Sequence, residues 1–224
     1  MTNLPFKTYQ ETVIDSPNFL IFVQGSWAPW NNPNNVAASR AITVKGIASV
    51  LLYDSRRDWS VTQGREVKWW QWIEAFDGKT YRDEAAELRE KIEHVRKDYK
   101  PKNIFLSGNS YGGGLAALVS GDGIPELNRV LLFSPQISSP SADVNIYGDF
   151  PSWEEFSAAI SRYSGELTVA HGNKDAVIGI EQSVRLFEAA KTQKLKRLVL
   201  LPTDHSFSNA ANLYVKEHLI AFRS

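Results

Sequence analysis

Six short, predominantly apolar runs recur along the chain at intervals of 20 to 50 residues or so, set apart by more polar segments. Runs of this length without strict polar alternation are typical of strands that are covered on both faces of a parallel sheet. The segment Phe6–Ile14 mixes polar and apolar residues, and we expect it to form an edge strand. The six runs are Phe19–Val23, Ile47–Tyr53, Ile104–Leu106, Val130–Phe133, Leu167–Ala170 and Leu198–Leu201.

Helical periodicity occupies most of the intervals between these runs. The clearest stripe has apolar residues three or four positions apart, at Tyr81, Ala85, Leu88, Ile92 and Val95, and its helix should end before Pro101. A second stripe is predicted at Ile180, Val184 and Phe187, on a helix that begins near Gly179. Further helices are predicted at Val36–Thr43, Tyr111–Val119, Trp153–Ile160 and Asn209–Phe222.

The alternation of strands and helices predicts the fold class. We expect a single α/β domain over residues 1–224, with a doubly wound, mostly parallel sheet and helices on both faces. About 30 residues lie between Gln136 and Gly165, which is room for a short helix and no large cap domain. In such sheets, ligands bind beyond the carboxyl ends of the strands, so the residues after each run are the candidates for chemistry.

One of these candidate segments is Gly108-Asn109-Ser110-Tyr111-Gly112, between a predicted strand and a predicted helix. The pattern G-x-S-x-G in this context is typical of a nucleophilic serine on a sharp turn, where flanking glycines avoid steric clashes. The alternative is a glycine-rich turn with an incidental serine. The strand before it and the helix after it favour Ser110 as a nucleophile, placed at a helix N-terminus that favours developing negative charge.

A serine nucleophile needs a base, and the base needs an orienting carboxylate. After Ser110, Asp175 follows one predicted strand and His205 follows the next, which is the order Ser, acid, His expected for this arrangement. His94 and His218 lie inside predicted helices as surface or packing residues, and His171 is predicted to be a structural histidine that hydrogen-bonds its own loop. Asp204 is the rival acid. Because it adjoins His205, a turn or capping role fits it better.

Two backbone donors should stabilise an oxyanion beside Ser110. One is the N–H of Tyr111, the residue after the nucleophile, and the other should come from the loop after Phe19–Val23. In that loop Gly25 permits a turn, and Ser26 or Trp27 would donate. A plain strand–helix connection is the alternative interpretation of the same loop.

The motifs together resemble the lidless carboxylesterase, acyl-protein thioesterase and dienelactone-hydrolase-like group of α/β-hydrolases. The resemblance rests on the segment from Gly108 to Gly113, on His171-Gly172-Asn173-Lys174-Asp175 before a helix, and on Asp204-His205 before the last helix. It implies a serine esterase or thioesterase with Ser110, Asp175 and His205 as its catalytic triad. Relatives commonly carry His-Gly after the first core strand, where this chain has Gln24-Gly25.

Composition limits the partners. Lys and Arg together number 25, as do Asp and Glu, so the chain has no net charge that would favour nucleic acid or an anionic membrane as a partner. There is no cysteine, which excludes disulfides and thiolate sites. The first ten residues lack a signal-peptide pattern, and no apolar run approaches the roughly 20 residues that span a bilayer. We therefore expect a cytoplasmic protein that acts on a small-molecule ester or thioester without a metal or cofactor.

Tryptophans mark a candidate substrate pocket. Trp27, Trp59, Trp69 and Trp70 lie in segments predicted at the active-site face and could line an apolar acyl pocket, although Trp70 could equally be core. The sequence leaves open two other functions: an acyltransferase or cyclising enzyme that uses the same serine, and a catalytically silent binding protein with a hydrolase fold.

Overall fold

The computed structural model describes residues 9–26, 28–54, 79–139, 149–192 and 194–223. In this part of the chain, seven strands form one sheet in the order β1-β3-β2-β4-β5-β6-β7. Strand β1 is antiparallel to β3, and each of the other neighbouring pairs is parallel. The strands are β1 (Tyr9–Thr12), β2 (Asn18–Val23), β3 (Ser49–Tyr53), β4 (Asn103–Asn109), β5 (Leu127–Phe133), β6 (Glu166–Gly172) and β7 (Lys196–Leu201).

Six helices follow the strands within the described residues, and they cover both faces of the sheet. Two of them, α1 and α6, pack on one face around Ile42, Phe133 and Tyr214, and the other four pack on the opposite face around Leu88, Leu115 and residues of the same core. The helices are α1 (Pro33–Val44), α2 (Tyr81–Tyr99), α3 (Tyr111–Ser120), α4 (Trp153–Arg162), α5 (Ile180–Ala189) and α6 (Ala211–Ala221).

This architecture confirms the predicted doubly wound, mostly parallel α/β sheet, and the structure shows that the edge strand β1 is antiparallel to β3. Each predicted strand and helix is present, with ends that differ by a few residues. Helix α1 begins three residues earlier than predicted, because Asn32 caps it by accepting a hydrogen bond from the Asn34 N–H and Pro33 occupies the first turn. Between β5 and β6, the described residues 134–139 and 149–165 hold one helix, α4, and no cap domain.

Two packing predictions were wrong in part. Of the predicted apolar stripe of α5, Phe187 packs against the core but Ile180 is 39% exposed, and the fully buried residues of the helix are Ser183 and Leu186. The helix turns a serine inward because Ser183 hydrogen-bonds the buried ring of His171. The last apolar run is not covered on both faces either, since β7 lies at the sheet edge and Leu200 is 55% exposed.

Hydropathy along the helices bears on membrane association. Among the described residues, no helix combines the length and the apolar character that a membrane span requires.

Phe133, the last residue of β5, is a test of the core beneath the carboxyl edge of the sheet. Its fully buried ring stacks on Tyr214 with centroids 4.2 Å apart and on His218 at 5.1 Å. We expect Phe133→Ala to lower the free energy of unfolding by about 3–5 kcal/mol, because it leaves a cavity among these rings. Urea denaturation would measure it. Val44→Ala, at a position 78% exposed, is the control and should change stability by less than about 0.5 kcal/mol; equal effects would contradict the assignment.

Candidate active site

Ser110 lies on the sharp turn between β4 and α3. Its backbone has φ 55° and ψ −120°, a conformation that costs an L residue roughly 1–3 kcal/mol and persists only where its surroundings enforce it. Three backbone hydrogen bonds enforce it here: the Ser110 N–H donates to the Phe133 carbonyl, and the Ser110 carbonyl accepts from the N–H groups of Gly114 and Gln136. The serine is thereby fixed to the neighbouring strand as well as to its own helix.

The glycines of the motif are required because backbone packs directly on backbone at this turn. A Cβ on Gly112 would lie 2.3 Å from the carbonyl oxygen of Val23 and 2.4 Å from that of Gln24. A Cβ on Gly108 would lie 2.3 Å from the carbonyl oxygen of Gly112. The glycines therefore avoid steric clashes, as predicted, and the elements they would clash with include the end of β2.

His205 and Asp175 meet Ser110 at the carboxyl edge of the sheet. His205 Nε2 is 3.0 Å from Ser110 Oγ, and His205 Nδ1 is 2.8 Å from Asp175 Oδ2. Because a carboxylate only accepts, Nδ1 carries the proton that is shared with Asp175, and in the neutral ring Nε2 is left to accept from the serine hydroxyl. The structure thus brings the three predicted residues into one hydrogen-bonded line.

The Asp175 carboxylate is buried and fully engaged. Its Oδ1 accepts from the N–H groups of Val177 and Ile178, each at 2.9 Å, while Oδ2 accepts from His205. Burial raises the pKa of Asp175, but the hydrogen bonds from His205 and Ile178 and the charge of His205 outweigh it, so the pKa lies well below its usual range. The two amide donors were not predicted, although an aspartate in a loop often accepts a hydrogen bond from the backbone N–H two residues later, as in an Asx turn.

His171 lies behind this carboxylate with no exposed surface. Its Nε2 is 3.1 Å from the Ile178 carbonyl, so that nitrogen donates, and Nδ1 then accepts from the Ser183 hydroxyl at 2.7 Å. Nε2 also lies 3.6 Å from Asp175 Oδ2. Burial lowers the pKa of His171, and the Asp175 charge opposes this only in part. The ring holds the loop that presents Asp175, in agreement with the structural role expected for it.

The remaining candidates for acid and base lie apart from this line. Asp204 accepts a long, 3.4 Å hydrogen bond from the Ser208 hydroxyl, and the ring of His205 is paired with Asp175 instead. His218 is fully buried among aromatic rings, and His94 lies on α2 beside Glu11.

The loop after β2 lies beside the nucleophile. A Cβ built on Gly25 would be 3.8 Å from the Cβ of Ser110, and Ser26 follows in a turn closed by the Ala28 N–H on the Gly25 carbonyl. Tyr111 is the first residue of α3. The two predicted oxyanion donors on described residues, Tyr111 and Ser26, therefore lie on the segments that flank Ser110. Their role as donors stays a prediction.

The four tryptophans of the predicted substrate pocket, Trp27, Trp59, Trp69 and Trp70, lie outside the described residues. Among the described tryptophans, Trp30 packs against the core on the α1 face, and its backbone N–H donates to Asp54 Oδ1. In the described part of the chain, no group of three or more His, Asp or Glu side chains is arranged to hold a metal ion.

Comparison of the amino-acid sequence with known proteins finds similarity over part of the chain. No family model matches the sequence. An uncharacterized protein, YfhR of Escherichia coli O157:H7, is 28% identical over 138 residues, which is 57% of this chain and 47% of that protein. The chain thus spans about half the length of this curated relative.

Solved structures match over nearly the whole chain. A metagenome-derived lipolytic enzyme described with LipS and LipT has a TM-score of 0.74 at 12% identity, with 97% of each chain covered. Est1E from Butyrivibrio proteoclasticus, with ferulic acid bound, has 0.70 at 16%, covering 94% of this chain and 92% of that chain. A dienelactone hydrolase from Anabaena variabilis has 0.66 at 16%, covering 97% and 100%. At such identities the likeness establishes the fold.

Gly112 tests the close backbone contact at the turn. We expect Gly112→Ala to lower the free energy of unfolding by at least about 3 kcal/mol, because its Cβ would push the end of β2 away from Ser110. Urea denaturation is the measurement, with Gly123→Ala as the matched control. Gly123 has φ +72°, and a Cβ there would have nothing within 4 Å, so alanine carries only backbone strain, about 1–2 kcal/mol. A Gly112 variant as stable as the Gly123 variant would contradict the packing argument.

Asp175 gives a stability that depends on pH. Its folded-state pKa is below the unfolded value of about 3.9, so its contribution is complete above that pH and is lost as the pH falls toward the folded-state pKa. Between the two pKa values, each pH unit removes about 1.4 kcal/mol. We expect the stability advantage of the wild type over Asp175→Asn to shrink progressively as the pH falls below about 4. Urea titrations would measure this, and a constant difference would count against the assignment.

Proposed function

Because the chain has the α/β-hydrolase fold, we propose that it is a serine hydrolase that cleaves a carboxylic ester or thioester. The observation that carries the proposal is the hydrogen-bonded line from Ser110 Oγ to His205 Nε2 and from His205 Nδ1 to Asp175. Ser110, at one end of this line, is held in a strained turn, and the carboxylate of Asp175, at the other end, is buried and ionised. Such an arrangement is the general requirement for activating a serine hydroxyl.

The proposed reaction has two halves. Ser110 Oγ attacks the carbonyl carbon while His205 Nε2 takes the hydroxyl proton, and His205 then gives this proton to the departing alkoxide or thiolate as the bond to it breaks. The acyl group is left as an ester on Ser110. A water molecule then attacks this ester as His205 takes a proton from it, and return of the proton to Ser110 releases the acid.

Asp175 orients the base and stabilises its charged form. By accepting the Nδ1 proton at 2.8 Å, it fixes the tautomer in which Nε2 faces Ser110. When His205 takes the serine proton, the ring becomes positive, and the buried carboxylate beside it lowers the free energy of that state. Asp175 stays ionised throughout, consistent with its low pKa.

The negative charge that develops on the carbonyl oxygen needs donors in the same place. We assign one to the Tyr111 N–H, which starts α3, and the second to the N–H of Ser26 or Trp27. The N-terminus of α3 adds a favourable helix dipole at this point. The closeness of Gly25 to Ser110 supports the second assignment.

The proposed partner is a small-molecule ester or thioester. Among the structural neighbours, one is described as lipolytic, one was solved with ferulic acid, and one is named a dienelactone hydrolase. Between β5 and β6 the described residues hold one helix, α4, and this supports an open cleft in which the acyl group of a small ester can reach Ser110. The balanced charge of the chain supports a neutral substrate over a polyanion.

A fluorophosphonate probe tests the proposal directly, since it reacts with an activated serine and mimics the tetrahedral state. We expect stoichiometric labelling of the wild type at Ser110, located by intact and peptide mass spectrometry. Ser110→Ala and His205→Ala should abolish labelling, and Asp175→Asn should slow it by about 10⁴-fold because the base is held in the wrong tautomer. Hydrolysis of p-nitrophenyl butyrate and of an acyl thioester should fall in parallel.

Two variants away from the site serve as controls. Ser161→Ala removes a hydroxyl on α4, and His94→Gln removes a ring on α2. Both should label like the wild type. A folded wild type that takes up no probe would overturn the proposed mechanism, and labelling at a serine other than Ser110 would overturn the assignment of the nucleophile.

A further inference from the structure

We propose that the first turn of α1 positions both of the loops that flank Ser110, through the adjacent side chains of Asn34 and Asn35. Asn35 fixes the loop after β2, and Asn34 fixes the loop that carries His205. This inference rests on the proposed function, in that the two loops are those assigned to the oxyanion donor and the base. The side-chain hydrogen bonds of the two asparagines go to neither Ser110 Oγ nor His205, so both are positioning residues.

Asn35 is the centre of a buried chain of hydrogen bonds. The Tyr214 hydroxyl on α6 donates to Asn35 Oδ1 at 2.6 Å, and Asn35 Nδ2 donates to Gln24 Oε1 at 2.6 Å. Exposure is 2% for Tyr214, 3% for Gln24 and 5% for Asn35, so water does not compete for these bonds. Burial raises the pKa of the Tyr214 hydroxyl, which keeps it a donor. The side chain of Gln24 is thereby tied to two helices.

The backbone of the same glutamine lies against the turn of Ser110. The Gln24 carbonyl is one of the two oxygens that exclude a Cβ from Gly112, and Gly25 follows it beside the Cβ of Ser110. The loop is therefore held from two sides, by the glycine turn on one face of the sheet and by Asn35 on the other. Loss of the second hold removes the hydrogen bond that fixes the Gln24 side chain on the α1 face.

Asn34 makes the second connection. Its Nδ2 donates to the carbonyl of Ser206 at 3.1 Å and lies 3.4 Å from that of Phe207. These carbonyls belong to the two residues after His205, and Phe207 has a positive φ of 54°, so the loop is strained where Asn34 holds it. Successive helical residues point about 100° apart, which lets one turn reach both loops.

The turn itself is rigid. Asn32 accepts from the Asn34 N–H at 3.0 Å, and Pro33 fixes the backbone at the first helical position. The segment Asn32-Pro33-Asn34-Asn35 thus works as a bracket between the two loops. If the hydrogen bonds of this segment to the loops are lost, the oxyanion donor and the base should lose their alignment with Ser110, while substrate binding changes little.

Two conservative variants remove one connection each. Tyr214→Phe removes the hydroxyl that donates to Asn35, and Asn34→Asp keeps the shape of the side chain but removes the donor to Ser206. An aspartate in the first turn of a helix favours helix stability through the dipole, so Asn34→Asp separates positioning from stability. Tyr99→Phe is the matched control, because it removes a hydroxyl bonded to Glu11 at 2.7 Å on the far side of the molecule.

Kinetics and local exchange test the proposal together. For Tyr214→Phe and Asn34→Asp we expect kcat for p-nitrophenyl butyrate and the rate of fluorophosphonate labelling at Ser110 to fall about fivefold each, with KM within about twofold. Hydrogen–deuterium exchange should rise in peptides from residues 24–32 for Tyr214→Phe, and from residues 203–209 for Asn34→Asp. Tyr99→Phe should match the wild type in all three measurements.

The outcomes separate this inference from the proposed function. Wild-type rates and wild-type exchange in both variants would overturn the positioning role of α1 and would leave the proposed serine-hydrolase function unaffected. A lower melting temperature with unchanged kcat and unchanged labelling would also overturn the positioning role, because it would show that the two side chains contribute only to stability. Absence of labelling at Ser110 in the wild type would contradict the proposed function. The exchange measurements would then decide by themselves whether α1 holds the two loops.

Discussion

Direct contact between main chains at Gly112 is the constraint on which the rest of the site depends. With carbonyl oxygens of Val23 and Gln24 only 2.3–2.4 Å from where a Cβ would be, β2 and the start of α3 can approach only if that residue is glycine. The approach places the loop after β2 beside Ser110, whose strained turn is held by backbone hydrogen bonds to Phe133 and Gln136. A wider spacing would separate the serine from that loop.

The histidine and the carboxylate depend on a second constraint, which is that every polar group buried at this edge of the sheet needs a partner. Asp175 meets it with two amide N–H groups and the ring of His205. His171 meets it with a serine hydroxyl and a carbonyl oxygen of the same loop. Apart from the bond to His205, each of these bonds ends on the segment from β6 to α5, so this segment sets the orientation of the carboxylate.

The two faces of the sheet contribute in different ways. The face covered by α2 to α5 carries the larger apolar core and the helix whose N-terminus lies at Ser110. The face covered by α1 and α6 contains a buried polar path from Tyr214 through Asn35 to Gln24, between aromatic rings. Polar networks of this kind are costly when incomplete and specific when complete.

The amino-acid sequence by itself determined the strand–helix alternation, the glycine-flanked Ser110 and the chain order of Ser110, Asp175 and His205. These features are local: apolar runs, glycine spacing and residues that directly follow strands are visible without knowing what they touch. Other features were decided only by the tertiary structure. They include the edge position of β7, the inward turn of Ser183 and the bonds of Asn34 and Asn35 to segments up to 179 residues away. Contacts over such separations follow from how the helices pack on the sheet, and no periodicity in the chain records them.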